Sequence, residues 1–362
     1  NTFTGSTTIS QGQLTLGNDF GIGALSINDG TVLDLNGNSF TGNQINVAGL
    51  GIAGSGAIVD NGLSVFNSPI YLTGDTTLKN SAGLTFNEVI NGGDKNLSLE
   101  SDGTVIINGP VGANPNNLRT TSNINPYALT ISASTIQINN NIATNQNQTY
   151  NAANVVIGGV NPTVTMLSLN PNITFSGAIN DSVRGAHSLD LKSIATGDYS
   201  TINSPQINLN GAVGNITPLG NLTLAAFYDP APQVSFGALP TLDTSPFYTG
   251  TINATGNMSA TQSLTLVGQD FNLNDAVISA PEVNIYGYEN ISAPQVVELS
   301  SVNFSNLALV NYDEGGNYSS AFVEAVNAAK DLAANPPDTT PRVDPTPRVD
   351  PTAQAGQNRS VN

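Results

Sequence analysis

The sequence predicts an all-β chain coiled as a parallel β-solenoid, and three observations predict it. Apolar residues recur in pairs separated by one small or polar residue: Leu14 and Leu16, Leu25 and Ile27, Leu33 and Leu35, all within "GQLTLGNDFGIGALSINDGTVLDLNGNSF". Gly, Asn, Asp and Ser close each pair, at intervals near the roughly 8 to 12 residues of all-β chains. The stretches 84–112 and 173–214 also read alike, "LTFNEVING…LSLES…VIINGPVG" against "ITFSGAIND…LDLKS…INLNGAVG". Similar phrases at a long period favour stacked coils.

The pairs run on as Ile45 and Val47, Leu63 and Val65, Ile70 and Leu72, Leu84 and Phe86, and Leu97 and Leu99. They resume as Leu129 and Ile131, Ile136 and Ile138, Val155 and Ile157, Ile173 and Phe175, Leu189 and Leu191, Ile207 and Leu209, Leu222 and Leu224, and Leu264 and Leu266. Side chains two apart on a strand share a face, so each pair marks a short strand with one inward face. Such strands also build sandwiches and barrels. A chain of 362 residues would make an unusually large one, whereas a solenoid lengthens by adding coils. Buried aliphatic side chains at roughly 1.5 to 3 kcal/mol each offset much of a coil's ordering entropy. Aromatic residues are only 6% of the chain and Trp is absent, which suits a narrow interior.

Charged residues make up 10% of the chain, against about 25% in ordinary soluble domains. The surface is therefore made mostly of Asn, Ser, Thr, Gln and Gly. A net charge of -17 with nine Lys plus Arg repels a phosphate backbone, so no nucleic-acid partner is expected. No apolar run of about 18 residues is present to serve as a transmembrane segment. The absence of Cys removes disulfides, thiolate metal sites and cysteine nucleophiles together. The chain opens on Asn1 without a signal-peptide apolar region, which reads as a processed chain or a segment of a longer one.

The pattern changes after Phe304. Phe322, Val323, Val326, Ala329 and Leu332 stand at helical spacing over 319–335, before Pro336, which predicts a short amphipathic helix capping the last coil. Beyond it, "PPDTTPRVDPTPRVDPTAQAGQNRSVN" has no apolar face and predicts a Pro-rich flexible tail over 336–362. The organisation expected is thus a rod over 1–304, a terminal segment over 305–335, and the tail. One Pro-rich interruption near 226–250 gathers Phe227, Tyr228, Phe236, Phe247 and Tyr248. These aromatics form either a packed loop or a recognition surface.

Chemistry-bearing groups are sparse. His187, the one histidine, stands in "RGAHSLDL" beside Ser188 and Asp190. Strand neighbours on alternate faces do not assemble a nucleophile, base and orienter, and His187 reads as a surface residue. One histidine also excludes every two-histidine metal motif. Acids such as Asp29 in "INDG" and Asp60 in "VDNG" sit in turn contexts. Asp94 with Lys95, Asp181 with Arg184, and Asp190 with Lys192 read as solvated charges. "NGGDKN" at 91–96 holds only a fragment of the calcium-binding nonapeptide, and "YDEGGN" at 312–317 reads as a turn. No catalytic, cofactor or metal-ligating residue is therefore assigned, and no enzyme activity or cofactor is expected.

"NTFTGSTTISQGQLTLGND" through "GTVLDLNGNSF" resembles the autotransporter-associated β-strand repeat. "LTFNEVING…LSLES", "QTYNAANVVIGG", "ITFSGAIND…HSLDLKS" and "INLNGAVGNITPLGNLTL" are similar to repeats of filamentous haemagglutinin-like exoproteins. The resemblance covers about 1–304. It implies a right-handed parallel β-helix serving as the rod of a secreted or surface-displayed bacterial adhesin. It further implies an outer-membrane export partner, a host or matrix glycan or protein as ligand, and roles in cell–cell or biofilm contacts. A polysaccharide-active β-helix enzyme and a self-assembling extracellular filament subunit are the alternatives. "NPNITFSG" at 170–177 is similar to an Asn-Pro-Asn motif of secretion domains, but its mid-chain place reads as a turn.

The expected tail has a direct test. Limited trypsin digestion should cut after Arg342, Arg348 and Arg359 before it cuts after Arg119 or Lys192. Resistance of the three tail arginines under conditions that cut after Arg119 or Lys192 would show the tail docked.

Overall fold

The structure is a computed structural model. It describes residues 5–112, 125–170, 172–195, 204–228, 250–268, 270–273, 276–286, 299–300, 303–304, 309–312, 324 and 327. Strands are the dominant regular element of the described chain, and every strand pairing in it is parallel. Parallel neighbours cannot be joined by a hairpin, so each strand pairs with one about a repeat later. Leu25 pairs with Ile45, Ile45 with Ile70, and Ile70 with Ile90, so the interval between partners changes a little from layer to layer.

Three parallel ladders result. The first runs through Thr7–Ile9, Phe20–Ile27, Phe40–Gly49, Ile70–Asn80, Ile90–Asn91, Val111 and Ile142–Thr144. It continues through Thr163–Ser168, Ser188–Ala195, Leu219–Tyr228, Met258–Val267, Glu282–Tyr286 and Leu309–Tyr312. The second links Gln13–Thr15, Val32–Asp34, Ile58–Asp60, the end of Ile70–Asn80, Leu97–Ser101 and Leu129–Ser132. It then takes in Gln148–Asn151, Asn172–Phe175, Gln206–Leu209, Thr251–Ala254, Asp270–Asn272 and Leu299–Ser300. The third includes Leu63–Phe66, Gly83–Phe86, Thr104–Ile107, Thr135–Ile138, Asn154–Ile157 and Ala178–Asp181. Ile70–Asn80 bends from the first ladder into the second, which is how one strand serves both.

Register places like residues on like. In the second ladder Leu78, Leu99, Ile131, Tyr150, Phe175, Leu209 and Ala254 are partners in succession, and all are buried. Tyr150 and Phe175 stack with ring centroids 4.5 Å apart. In the third, Phe40, Phe66, Phe86, Ile107, Ile138 and Ile157 form a similar buried column, with Phe66 and Phe86 stacked at 5.0 Å. The ladders share one continuous core. Close approach between layers fixes some turns: a Cβ on Gly103 would lie 1.6 Å from the Ala82 carbonyl oxygen.

The apolar pairs are buried nearly throughout, with two departures. Leu14 is only half-buried, and the expected pair Leu63 and Val65 is out of register. Leu63 is 72% exposed and Val65 half-buried, while Ser64 and Phe66 face inward. Phe66 takes the interior place because it continues the aromatic column, and Ser64 is accommodated by hydrogen bonds to Asp60 and Asn80.

The likeness of 84–112 to 173–214 also carries a correction. Leu84 and Phe86 lie in the third ladder but Ile173 and Phe175 in the second. Leu97 and Leu99 lie in the second but Leu189 and Leu191 in the first. The similar phrases therefore stand one ladder apart, and the repeat they express belongs to the strand and its turn. Parallel pairing continues past Phe304 to Leu309–Tyr312. Of the expected helix over 319–335 only residues 324 and 327 are described, and the tail over 336–362 lies outside the described residues.

Leu99→Asp should cost more than about 3 kcal/mol, since it sets an unpaired carboxylate into an aliphatic column. Ser98→Asp, one residue away and half-buried on the outer face, should cost about 1 kcal/mol or less. Denaturant unfolding of the two variants checks this, and equal losses would contradict the register.

Candidate functional site

The outer surface is built from amides and hydroxyls that bond from layer to layer. Asn67, Asn87, Asn108 and Asn139 each follow the last residue of a third-ladder strand. The side-chain nitrogens of Asn87, Asn108 and Asn139 each donate to the side-chain oxygen of the Asn before, at 2.6, 2.7 and 2.6 Å. An amide carries both donor and acceptor, so a column of Asn satisfies itself at the spacing of parallel layers. On the second ladder Asn253 donates to Asn208 and Asn272 to Asn253, both at 2.8 Å.

Where the second ladder turns into the third, the surface sinks into an open trough of about 840 Å³. Its floor follows the register through Val59, Lys79, Glu100, Ser132 and Asn151, one residue per layer. Ser101, Asp102 and Ser134 line its third-ladder side. Lys79 Nζ stands 2.9 Å from Glu100 Oε2, with both side chains 40% exposed, and also donates to the Gly54 carbonyl oxygen.

Asp60, expected as a solvated turn charge, is instead buried at the trough's edge. It accepts hydrogen bonds from the Gly37 and Gly62 backbone N–H groups and from the Ser64 hydroxyl. Its carboxylate is thereby committed to holding the turn. The Lys79–Glu100 pair was missed in the sequence because the partners belong to different layers, far apart in the chain; only the register brings them together.

His187 departs most from expectation. It is 9% exposed, and its partner is neither Ser188 nor Asp190. Its Nδ1 lies 2.6 Å from Asp181 Oδ1, and its Nε2 3.1 Å from the Gly159 carbonyl oxygen. Asp181 continues the column of Ile107, Ile138 and Ile157, so it occupies an interior position and needs a partner there. The backbone N–H groups of Val183 and His187 also donate to it, and Arg184 forms no ion pair with it among the described residues. Ser182 Oγ stands 3.5 Å from the same Nδ1 that faces Asp181. A relay needs the serine on the ring nitrogen opposite the carboxylate, and here that nitrogen is turned to a backbone carbonyl. The constellation is a structural tie between layers.

The remaining candidates are placed as follows. Asp190 and Lys192, expected as solvated charges, pair at 3.3 Å with side chains only 23% and 14% exposed. Asp94 accepts a hydrogen bond from Asn145, which lies far along the chain. Asp75 accepts from the backbone N–H and the side-chain amide of Asn96, which with nearby Lys95 hold its carboxyl below the usual carboxylate range. Burial pushes the Tyr150 phenol well above its ordinary value, and its hydroxyl donates to Gln148. Of the aromatic cluster, Phe227 and Tyr228 end a first-ladder strand, 3% and 4% exposed. Phe227 packs with Ala143, Leu167, Ile194 and Val267, so these two offer little surface for recognition. Phe236, Phe247 and Tyr248 lie outside the described residues, as does "YDEGGN" beyond Tyr312. Among the described residues no group of three or more His, Asp or Glu is placed to hold a metal ion, and no helix is long and apolar enough to cross a membrane. No protein-family model, curated protein or solved structure matches the chain.

Asp181→Ala should destabilise by about 3 to 5 kcal/mol, because it strands His187 without its buried partner. The double variant Asp181→Ile with His187→Leu, which extends the isoleucine column, should recover at least half of that loss in denaturant unfolding. No recovery would show that the tie to Gly159 matters more than the pair itself.

Proposed function

We propose that the chain is the structural rod of a secreted or surface-displayed bacterial adhesin, wound as a right-handed parallel β-helix. The observation that carries this reading is the uninterrupted succession of thirteen layers in the first ladder, from Thr7–Ile9 to Leu309–Tyr312. Each layer needs its neighbours to bury its inward residues, which is the construction of a solenoid. Coiling the three ladders about one axis accounts for the shared core and for strands that pass from one ladder to the next. The outer surface is layered amide and hydroxyl with few charges, suited to display. In this reading an outer-membrane partner exports the chain, and attachment to a host or matrix glycan or protein is its work.

Small-angle scattering on the purified chain tests the shape, and beads coated with it test attachment. Twelve layer intervals at about 4.8 Å give a rod body on the order of 58 Å long. Coated beads should bind bacterial or host cells above albumin-coated controls. A compact globular scattering profile would overturn the rod, and bead binding no better than the control would overturn the attachment role.

A further inference from the structure

From the geometry of the trough we infer a binding site for an extended, uncharged polysaccharide, laid along the stacking direction. The inference deepens the attachment reading and rests on it for its setting, but its argument is local. The trough crosses five successive layers through Val59, Lys79, Glu100, Ser132 and Asn151. Four layer intervals make it about 19 Å long, the reach of a short oligosaccharide. Four of its five layers also present a hydrogen-bonding side chain in that column, Lys79, Glu100, Ser132 and Asn151, as a sugar polymer presents hydroxyls at each ring.

The chemistry of the walls selects the ligand. Ser101, Ser132 and Ser134 supply hydroxyls and Asn151 an amide, beside Lys79 with Glu100 as a paired donor and acceptor. Ser134 also donates to the Gly103 carbonyl oxygen, Ser101 accepts from the Gly103 N–H, and Asn151 donates to Ser132 and accepts from Ser176. These groups therefore meet a ligand with their remaining lone pairs and protons. Hydroxyl-rich ligands are bound by such mixed donors and acceptors. Glu100 and Asp102 line the same trough, and Asp60 lies beneath its edge. Against these three carboxylates stands one cation, Lys79, so a uronate or sulfated polymer would meet net repulsion.

From the last two layers of the trough onward the second ladder continues the same character. Its outward residues are Thr130 and Ser132, Thr149 and Asn151, then beyond the trough Asn172, Thr174 and Ser176, Gln206 and Asn208, and Thr251 and Asn253. None carries a charge. Glu100 borders this face on one side and Asp270 on the other. A neutral polymer leaving the trough thus meets a neutral wall of hydroxyls and amides, on which it leaves no ionic group unpaired.

Affinity electrophoresis of the whole chain in gels containing laminarin, galactomannan, polygalacturonate or heparin tests the inference. At least one of the two neutral polymers should retard the protein, and neither anionic polymer should. Asn151→Trp should weaken the retardation at least tenfold by filling the trough, with circular dichroism confirming the fold. Ser134→Trp, on the exposed turn beside it, should do the same and serves if the first variant does not fold. Thr165→Trp, on the outward face of the first ladder, should bind as the parent does. Retardation by neither neutral polymer, retardation by an anionic one, or retardation indifferent to both trough variants overturns the trough site. Bead attachment to cells that persists in any of those cases leaves the adhesin reading standing without it.

Discussion

The structure depends on parallel stacking in register, which sets every residue directly above its counterpart in the next layer at about 4.8 Å. Inside, that constraint turns the core into columns. Leu78, Leu99, Ile131, Tyr150, Phe175 and Leu209 fill one position in six layers. A side chain in such a column is packed chiefly by its equivalents above and below. Size can therefore drift along the column, from leucine to tyrosine and back, provided each step matches its two neighbours. The aromatic run Phe40, Phe66 and Phe86 passing into Ile107, Ile138 and Ile157 is the same drift in another ladder.

Outside, the same spacing explains the composition. Identical charges one layer apart repel, and cross-strand like charges are destabilising. Identical amides do the reverse, since each donates to the next, as Asn67, Asn87, Asn108 and Asn139 show. A surface made of stacked columns is thus driven toward Asn, Ser and Thr and away from Lys and Glu. Some of the charges that do occur are resolved between layers, Lys79 on Glu100 and Asp75 on Asn96, while Asp190 and Lys192 pair within one strand. The low charge content is in this sense a property of the stacking, and an uncharged outer face is its natural product.

Strand existence and inward face were legible in the sequence because alternation is local: Leu97 and Leu99 mark a strand without knowledge of any partner. Pairing between layers was not. At Ser64 and Phe66 the local pattern of Leu63 and Val65 is overruled by a column that only the register reveals. The likeness between 84–112 and 173–214 misled for a related reason, since all three ladders use the same strand-and-turn phrase and one phrase can be read onto the wrong face. For the candidate site, the serines and Asn151 are ordinary residues in the sequence, and the trough exists because five of its residues share one column. His187 and Asp181 carried a weak signal, their closeness in the chain. The interior place of Asp181 follows only from its alignment with Ile157.

The stack also separates what can vary from what cannot. Leu224 and Leu266 remain register partners although the segment between them is far longer than the one between Leu25 and Ile45. Closure entropy grows only slowly with the length of the connecting segment, so an insertion between strands costs little if the strands on either side keep their columns. A change inside a column costs much more, because it is felt in the layers on both sides. Asp181 shows the exception that such a system tolerates. A buried carboxylate is held in an isoleucine column only because the turn after it folds back to bring His187 and two backbone N–H groups onto it. His187 in turn reaches the Gly159 carbonyl oxygen of the preceding layer, so the polar defect is closed by the same layer-to-layer bonding that holds the rest of the stack.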